Sequence, residues 1–186
     1  GFEELTPAQK ELAYYLYEAA NAGRDIIYDQ QYKHNLSVRK LLEAIMENYT
    51  GEKSSEDWKA LEVYTKRVFF SNGIHHHYSK NKFVPACSAD YFWGVVKSMD
   101  PALLPLNGKS VDEFISTLTP IIFDPKVDAK IVNLSAGIDN VKASANNFYE
   151  GVTQAEVEAY YNARMKKDDP TPVSWGLNSK MVKENG

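Results

Sequence analysis

Apolar residues recur at intervals of three or four positions along most of the chain, with polar residues between them, and this spacing predicts amphipathic α-helices. Polar residues that can cap a helix precede most of these stretches. We predict helices over 7–22, over 24–31 as a second helix or a continuation, and onwards from Asn35, Ser55, Ser88, Ser110 and Thr153. Pro120 is expected to interrupt or kink the sixth helix, because proline lacks a backbone donor, and the seventh to run to about Lys167. The predicted fold class is therefore mainly α.

Alternating, strand-like patterns are few. Segment 129–133 is short, segment 143–149 is ambiguous, and segment 173–182 is the best candidate. We therefore predict a minor β contribution near the C-terminus. The loops at 74–86, 99–109 and 124–140 are long, because connections in a helical bundle usually have about 2–8 residues. Such loops are expected to line a site or to pack against a neighbouring segment.

Composition narrows the class of protein. Of the residues, 44% are hydrophobic and 25% are charged, which is typical of a globular chain, and the formal net charge is −4. A net negative charge argues against a broad nucleic-acid interface. No apolar run approaches the roughly 18 residues that span a bilayer. We expect neither a nucleic-acid partner nor a membrane partner, and we expect a cytoplasmic location.

Two features indicate a piece of a longer protein. The chain begins at Gly1 and ends on 183–186, a sequence typical of the middle of a hairpin. Three aromatic pairs exceed what one buried helix stripe needs, so the second member of each is expected to face water or a neighbouring surface. These pairs are Tyr14 with Tyr15, Phe69 with Phe70, and Tyr160 with Tyr161.

Three consecutive histidines, His75–His77, precede Tyr78 and form the most conspicuous polar run. A metal site is one interpretation, but only His75 and His77 have the i, i+2 spacing of ligands on a strand, and no further carboxylate or histidine lies close in sequence. We favour a polar loop whose imidazoles bind backbone or substrate. Asn72–Gly73 is expected to end the preceding helix, because glycine tolerates the left-handed conformation. The chain is then expected to run irregularly to Pro85.

The single cysteine, Cys87, excludes an intrachain disulfide. It lies just before a predicted helix, where a thiol can have a lowered pKa and act as a nucleophile. The second interpretation, which we favour, is a buried and unreactive thiol.

Residues 68–85 have the sequence VFFSNGIHHHYSKNKFVP, and this run resembles the dipeptidyl peptidase III family, in the form similar to its Bacteroidetes branch. The family shows Ser-Asn, Gly and then Lys-Phe-x-Pro after a helix of its N-terminal lobe. Further segments resemble the family in the same order and extend the likeness over nearly the whole chain. These segments are 13–16, 22–27, 56–64, 120–125, 149–153 and 172–179.

The resemblance implies a two-lobed zinc exopeptidase, a metallopeptidase that removes dipeptides from peptide N-termini. In the family, a His-Glu-x-x-x-Gly-His motif and a downstream Glu hold the zinc in the upper lobe. This chain has no such motif, so we expect residues 1–186 to be a single partial module, a multi-helix N-terminal lobe fragment that is inactive alone. No catalytic residue and no metal ligand can be assigned to it. The implied partners are the remainder of the parent chain and an oligopeptide substrate, and the zinc belongs to the parent enzyme.

Within that resemblance, six residues are candidates for the wall of the substrate cleft: Asn72, Gly73, His75, His76, His77 and Tyr78. A purely structural loop remains an equal alternative for this segment. A different function for the whole chain also remains open, namely a self-standing helical module that binds a peptide.

Overall fold

Helices make up most of the chain in the computed structural model, which describes residues 1–169 and 179–185. The α-helices are α1 (Pro7–Ala22), α2 (Arg24–Gln31), α3 (Asn35–Asn48), α4 (Glu56–Ser71), α5 (Ala89–Lys97), α6 (Val111–Phe123) and α7 (Gln154–Asn162). Two short 3-10 helices cover Phe2–Glu4 and Pro101–Leu103. Strands β1 (Tyr149–Glu150) and β2 (Met181–Val182) pair in parallel. The predicted fold class, mainly α with a minor β contribution near the C-terminus, is confirmed.

Side-chain caps begin the helices where the sequence predicts them. The residues Thr6, Ser55, Ser88, Ser110 and Thr153 each accept a hydrogen bond from a backbone N–H in the first turn. Each such bond satisfies one of the N–H groups that a helix start leaves without a partner. The starting residue of each of these five helices therefore follows directly from the sequence.

Asn35 differs from the prediction, because it is the first residue of α3 rather than its cap. Its side chain is fully buried; its Nδ2 donates to the carbonyl oxygen of Tyr28 at 3.1 Å, and its Oδ1 accepts from the N–H of Ile74 at 3.1 Å. The amide is therefore used to join α2 to the segment that follows α4.

Helix α4 ends at Ser71 with Asn72 as its cap, so the predicted helix end at Asn72–Gly73 is confirmed, but the conformation there differs. Asn72 takes the left-handed conformation there, with φ of 53°, so the prediction that glycine would do so is wrong. Gly73 is needed for a different reason, since a Cβ at that position would lie 2.2 Å from Nδ2 of Asn35. Glycine lets the backbone approach the buried amide.

Two later helices end differently from the prediction. Helix α6 continues through Pro120 to Phe123, so the proline does not interrupt it. Pro120 and Ser116, four residues earlier, are both exposed, so water can satisfy the carbonyl that the proline leaves without a donor. Helix α7 stops at Asn162 rather than near Lys167; Val157 is its only buried residue among those described, and residues 163–167 are exposed, so burial does not stabilise a longer helix.

Of the predicted strand segments, 129–133 makes one isolated bridge, between Asn81 and Lys130, and 143–149 ends in β1. The third segment, 173–182, contains β2 in its last two residues, whereas residues 173–178 lie outside the described part of the chain. The β contribution is small because each paired stretch is only two residues long.

The hydrophobic core lies between α3, α4, α5 and α6. Its fully buried side chains include Leu41, Leu42, Ile45, Leu61, Val68, Phe92, Val96 and Ile122. Helix α1 contributes no buried residue, and Leu12, Tyr15 and Leu16 of its predicted apolar stripe are each about 60% exposed. No described helix is both long enough and apolar enough to cross a membrane.

Candidate functional site

Residues 72–85, here called the histidine hairpin, form a short antiparallel hairpin. His75 bridges Lys82, the N–H of Phe83 donates to the carbonyl oxygen of Ile74 at 2.8 Å, and the N–H of His76 donates to Asn81 O at 2.8 Å. The bridge at His75 is isolated and residues 77–79 form a turn, so the course through the histidines is irregular apart from this short pairing. The pairing stops at His76, so the alternation that would place His75 and His77 on one side does not extend to His77.

His75 lies on the inner side of the hairpin and is 1% exposed. Its Nε2 donates to the carbonyl oxygen of Asp128 at 2.7 Å, and its ring meets that of Tyr32 edge-on with centroids 5.3 Å apart. The Tyr32 hydroxyl in turn donates to the Asp128 carboxylate at 2.5 Å. Burial lowers the pKa of His75, so its imidazole is neutral at pH 7. This histidine joins the hairpin to the loop after α6.

Lys82, which pairs with His75 in the hairpin, also binds the loop after α6. Its ammonium group donates to the carbonyl oxygens of Ile121, at 3.1 Å, and of Asp124 and Val127. A cation at the C-terminal end of α6 also interacts favourably with the helix dipole. Burial lowers the pKa of the Lys82 ammonium. The inner half of the hairpin, His75 with Lys82, is thus part of the scaffold.

The outer half of the hairpin consists of His76, His77 and Tyr78. The Nδ1 atom of His76 accepts from the backbone N–H groups of Tyr78 and Ser79, both at 3.1 Å, so the hydrogen of the neutral ring lies on Nε2. The rings of His76 and His77 stack with centroids 4.6 Å apart and an interplanar angle of 15°. Tyr78 is 82% exposed at the tip. His76 and His77 are half-buried, and Tyr78 is exposed.

An open groove of about 720 Å³ separates this outer half from the C-terminal half of α4. We call it the α4–hairpin groove; its lining residues include Val63, Lys66, Arg67, Phe70, His76, His77 and Phe83. The His77 ring meets the Phe70 ring edge-on at 5.1 Å. The two charged lining residues are both cations, and aromatic rings form much of the remaining surface. Such a lining suits a ligand with both a negative charge and an apolar group.

The six predicted site residues therefore separate into three groups. His76 and His77 line the groove and Tyr78 is exposed beside it, whereas Gly73 and His75 are buried. Asn72 is half-buried at the end of α4 and sets the direction of the hairpin.

Sequence analysis missed Lys66 and Arg67 as groove residues. The positions Val63, Arg67 and Phe70 have the i, i+4, i+7 spacing of one helix face. This is the signal that could have found them, because Phe70 was already expected to be the surplus member of an aromatic pair.

Cys87 is buried, and burial raises the pKa of its thiol to about 11. A thiol with a raised pKa carries little thiolate at pH 7 and is a poor nucleophile. The predicted burial of the thiol is confirmed, and the raised pKa favours an unreactive group.

No three His, Cys, Asp or Glu side chains within residues 1–169 and 179–185 are grouped so as to hold a metal ion. Comparison with known proteins finds no family model that matches the chain and no significantly similar curated protein.

Proposed function

We propose that this chain is the N-terminal portion of a zinc-dependent dipeptidyl peptidase of the dipeptidyl peptidase III type, and that the outer half of the histidine hairpin contacts the peptide substrate. In this proposal the intact enzyme is a hydrolase that removes dipeptides from peptide N-termini. The zinc and its ligands belong to the remainder of the parent chain. The present chain supplies scaffold and peptide contacts, and a cytoplasmic location is part of the same proposal.

The observation that carries the proposal is the position of His76 and His77. Both belong to the run that resembles the peptidase family, and both line an open groove beside exposed Phe70 and Tyr78. Binding residues are often found on such loops, held by a rigid scaffold. His75, which is buried, and Lys82, which is half-buried, supply that scaffold, because they fix the base of the hairpin to the loop after α6.

In the proposed complex the chain binds and orients the peptide rather than acting on the reacting bond. The His76 Nε2–H can donate to a peptide carbonyl, since Nδ1 is already occupied by two backbone N–H groups. The aromatic rings of Phe70 and His77 offer an apolar surface for a substrate side chain.

The test uses the intact gene product beside the present chain. A downstream His-Glu-x-x-x-Gly-His in the same reading frame, one tightly held zinc per molecule, and hydrolysis of a dipeptidyl arylamide that stops on chelation are the expected results. The present chain alone is expected to bind no stoichiometric zinc and to hydrolyse no such substrate, because it lacks the ligand set. An intact gene product without a zinc motif and without peptidase activity would contradict the proposal.

A second candidate is a self-standing helical module that binds a peptide without hydrolysing it. The α4–hairpin groove supports this candidate as well, because its cationic and apolar lining is formed entirely by this chain. A reading frame that ends shortly after residue 186, together with peptide binding by the present chain, would favour it over the peptidase.

A further inference from the structure

We propose that the α4–hairpin groove binds an extended peptide segment that carries an acidic side chain and, two residues further on, an aromatic or aliphatic side chain. This inference rests on the proposed function only for the class of occupant, an oligopeptide. The charge and the spacing of the recognised side chains follow from the groove itself.

We infer the acidic side chain of the bound peptide from the charge of the groove. Lys66 and Arg67 are the charged residues of the lining, although the whole chain carries a formal net charge of −4. The Lys66 ammonium lies 3.9 Å from the Glu62 carboxylate and is partly compensated. Arg67 makes no ion pair with any described residue. A guanidinium in this situation favours a carboxylate, which it can bind through two parallel hydrogen bonds.

We infer the apolar side chain of the bound peptide from the exposed apolar surface of the groove. Phe70 is 76% exposed and Val63 is 47% exposed, and both lie on the face of α4 that carries Arg67. A simple anion would leave this apolar surface in water. A ligand with an aromatic or aliphatic group beside its carboxylate would bury it and gain the corresponding hydrophobic free energy.

The spacing follows from helix and strand geometry. Arg67 and Phe70 are three residues apart on α4, so their Cβ atoms are separated by about 5–6 Å. In an extended peptide, side chains two residues apart point to the same side and are separated by roughly 6.6–6.8 Å. An acidic residue and an apolar residue at this separation can therefore meet Arg67 and Phe70 together. His76, on the opposite wall, can donate to the carbonyl of the residue between them.

The test follows the four histidine imidazole signals by proton NMR while a blocked peptide, acetyl-Gly-Asp-Gly-Phe-Gly-amide, is added to the chain. The chain has four histidines, of which His76 and His77 line the groove and His34 and His75 do not. The signals of His76 and His77 should shift with a dissociation constant on the order of 1 mM, and those of His34 and His75 should stay unchanged. Replacing Asp by Asn, or Phe by Ala, in the peptide should weaken binding about tenfold in each case.

Matched variants of the chain identify the contacts. Arg67→Ser should weaken binding of the Asp peptide about tenfold and leave the weaker binding of the Asn peptide unchanged, because the two changes remove one interaction. Lys40→Ser, which removes an exposed cation on α3, should leave both unchanged. Phe70→Ser should weaken binding, whereas Leu134→Ser, at a residue that is 77% exposed elsewhere, should not.

Equal affinity for the Asp and Asn peptides, or shifts of His76 and His77 produced equally by inorganic phosphate, would overturn the inference. So would the absence of any shift at about ten times the expected dissociation constant. The two proposals fail separately. Acid-selective binding with no peptidase activity in the intact gene product contradicts only the proposed function, and zinc-dependent activity without acid-selective binding contradicts only this inference.

Discussion

The inner and outer halves of the histidine hairpin contain the same type of residue in different surroundings. His75 is 1% exposed and donates to a carbonyl oxygen of the loop after α6, whereas His76 and His77 stack on each other in an open groove. The backbone pairing ends at His76, so strand alternation does not extend to His77 and Tyr78. The comparison teaches that three adjacent histidines have two kinds of surroundings: one holds the hairpin in place, and two line an open groove.

The largest expected effect is on stability at the inner half. His75→Ala should lower the free energy of unfolding by about 3 kcal/mol, because it opens a cavity beside Tyr32 and leaves the Asp128 carbonyl without its donor. His77→Ala is the matched control and should lower it by about 1 kcal/mol or less, because His77 is half-buried and lies 3.4 Å from the Ser71 hydroxyl. Urea unfolding monitored by circular dichroism measures both. Equal losses in the two variants would show that the halves do not differ.

A smaller loss of stability is expected when Lys82, the residue paired with His75, is replaced. Lys82→Met should lower the free energy of unfolding by about 2 kcal/mol, since the carbonyls of Ile121, Asp124 and Val127 lose a shared donor. The control, Lys80→Met, removes an exposed ammonium that donates to one carbonyl, that of His77. The same unfolding measurement should give a change below about 0.5 kcal/mol for the control. A Lys82 variant as stable as the control would show that Lys82 does not stabilise the base of the hairpin.

The third-largest expected effect is a loss of folding stability at acid pH, caused by His75. Because burial lowers the pKa of His75 in the folded state, the unfolded chain binds the proton more readily, and stability is lost as the pH falls below the ordinary histidine value of 6.5. We expect a loss of about 1 kcal/mol between pH 7 and pH 5.5. His75→Gln should flatten this part of the profile.

His34 provides the control for this pH profile, because burial lowers its pKa as well. His34→Gln should therefore remove its own contribution and leave that of His75. A profile of the same slope in wild type and His75→Gln would contradict the assignment.

The smallest effect is expected at the hairpin tip. Tyr78→Ala should change the free energy of unfolding by less than about 0.5 kcal/mol, because the side chain is 82% exposed. Tyr32→Phe offers a buried comparison, since it removes only the hydroxyl that donates to Asp128 and should destabilise by about 1 kcal/mol. A larger loss at Tyr78 than at Tyr32 would contradict the division into a scaffold half and an exposed half.

Sequence analysis could predict the helices well because their signals are local. Ser55 and Ser110 begin helices where capping rules place them, and most of the apolar positions of α3 are buried. The role of α1 could not be predicted in this way. Its spacing predicts a helix correctly, but spacing does not say whether anything packs on Leu12 and Leu16.

The candidate site was predictable in part. The histidine run drew attention to the correct segment, but the separation of His75 from His77 depends on contacts with Asp128, which lies 53 residues further along the chain. Periodicity carries no information about such distant partners. Arg67 was missed for a related reason, because a cation on an exposed helix face becomes noteworthy only when the hairpin forms the opposite wall of a groove.

The most direct test of the central claim is the Michaelis constant of an oligopeptide substrate in the intact gene product, measured for wild type, His76→Ala and Tyr78→Phe. We expect a Michaelis constant raised about three- to tenfold in the variants, with kcat and thermal stability unchanged, because the outer half contributes peptide binding rather than chemistry. Lower stability with an unchanged Michaelis constant in the folded enzyme would contradict the account and assign the whole hairpin to the scaffold.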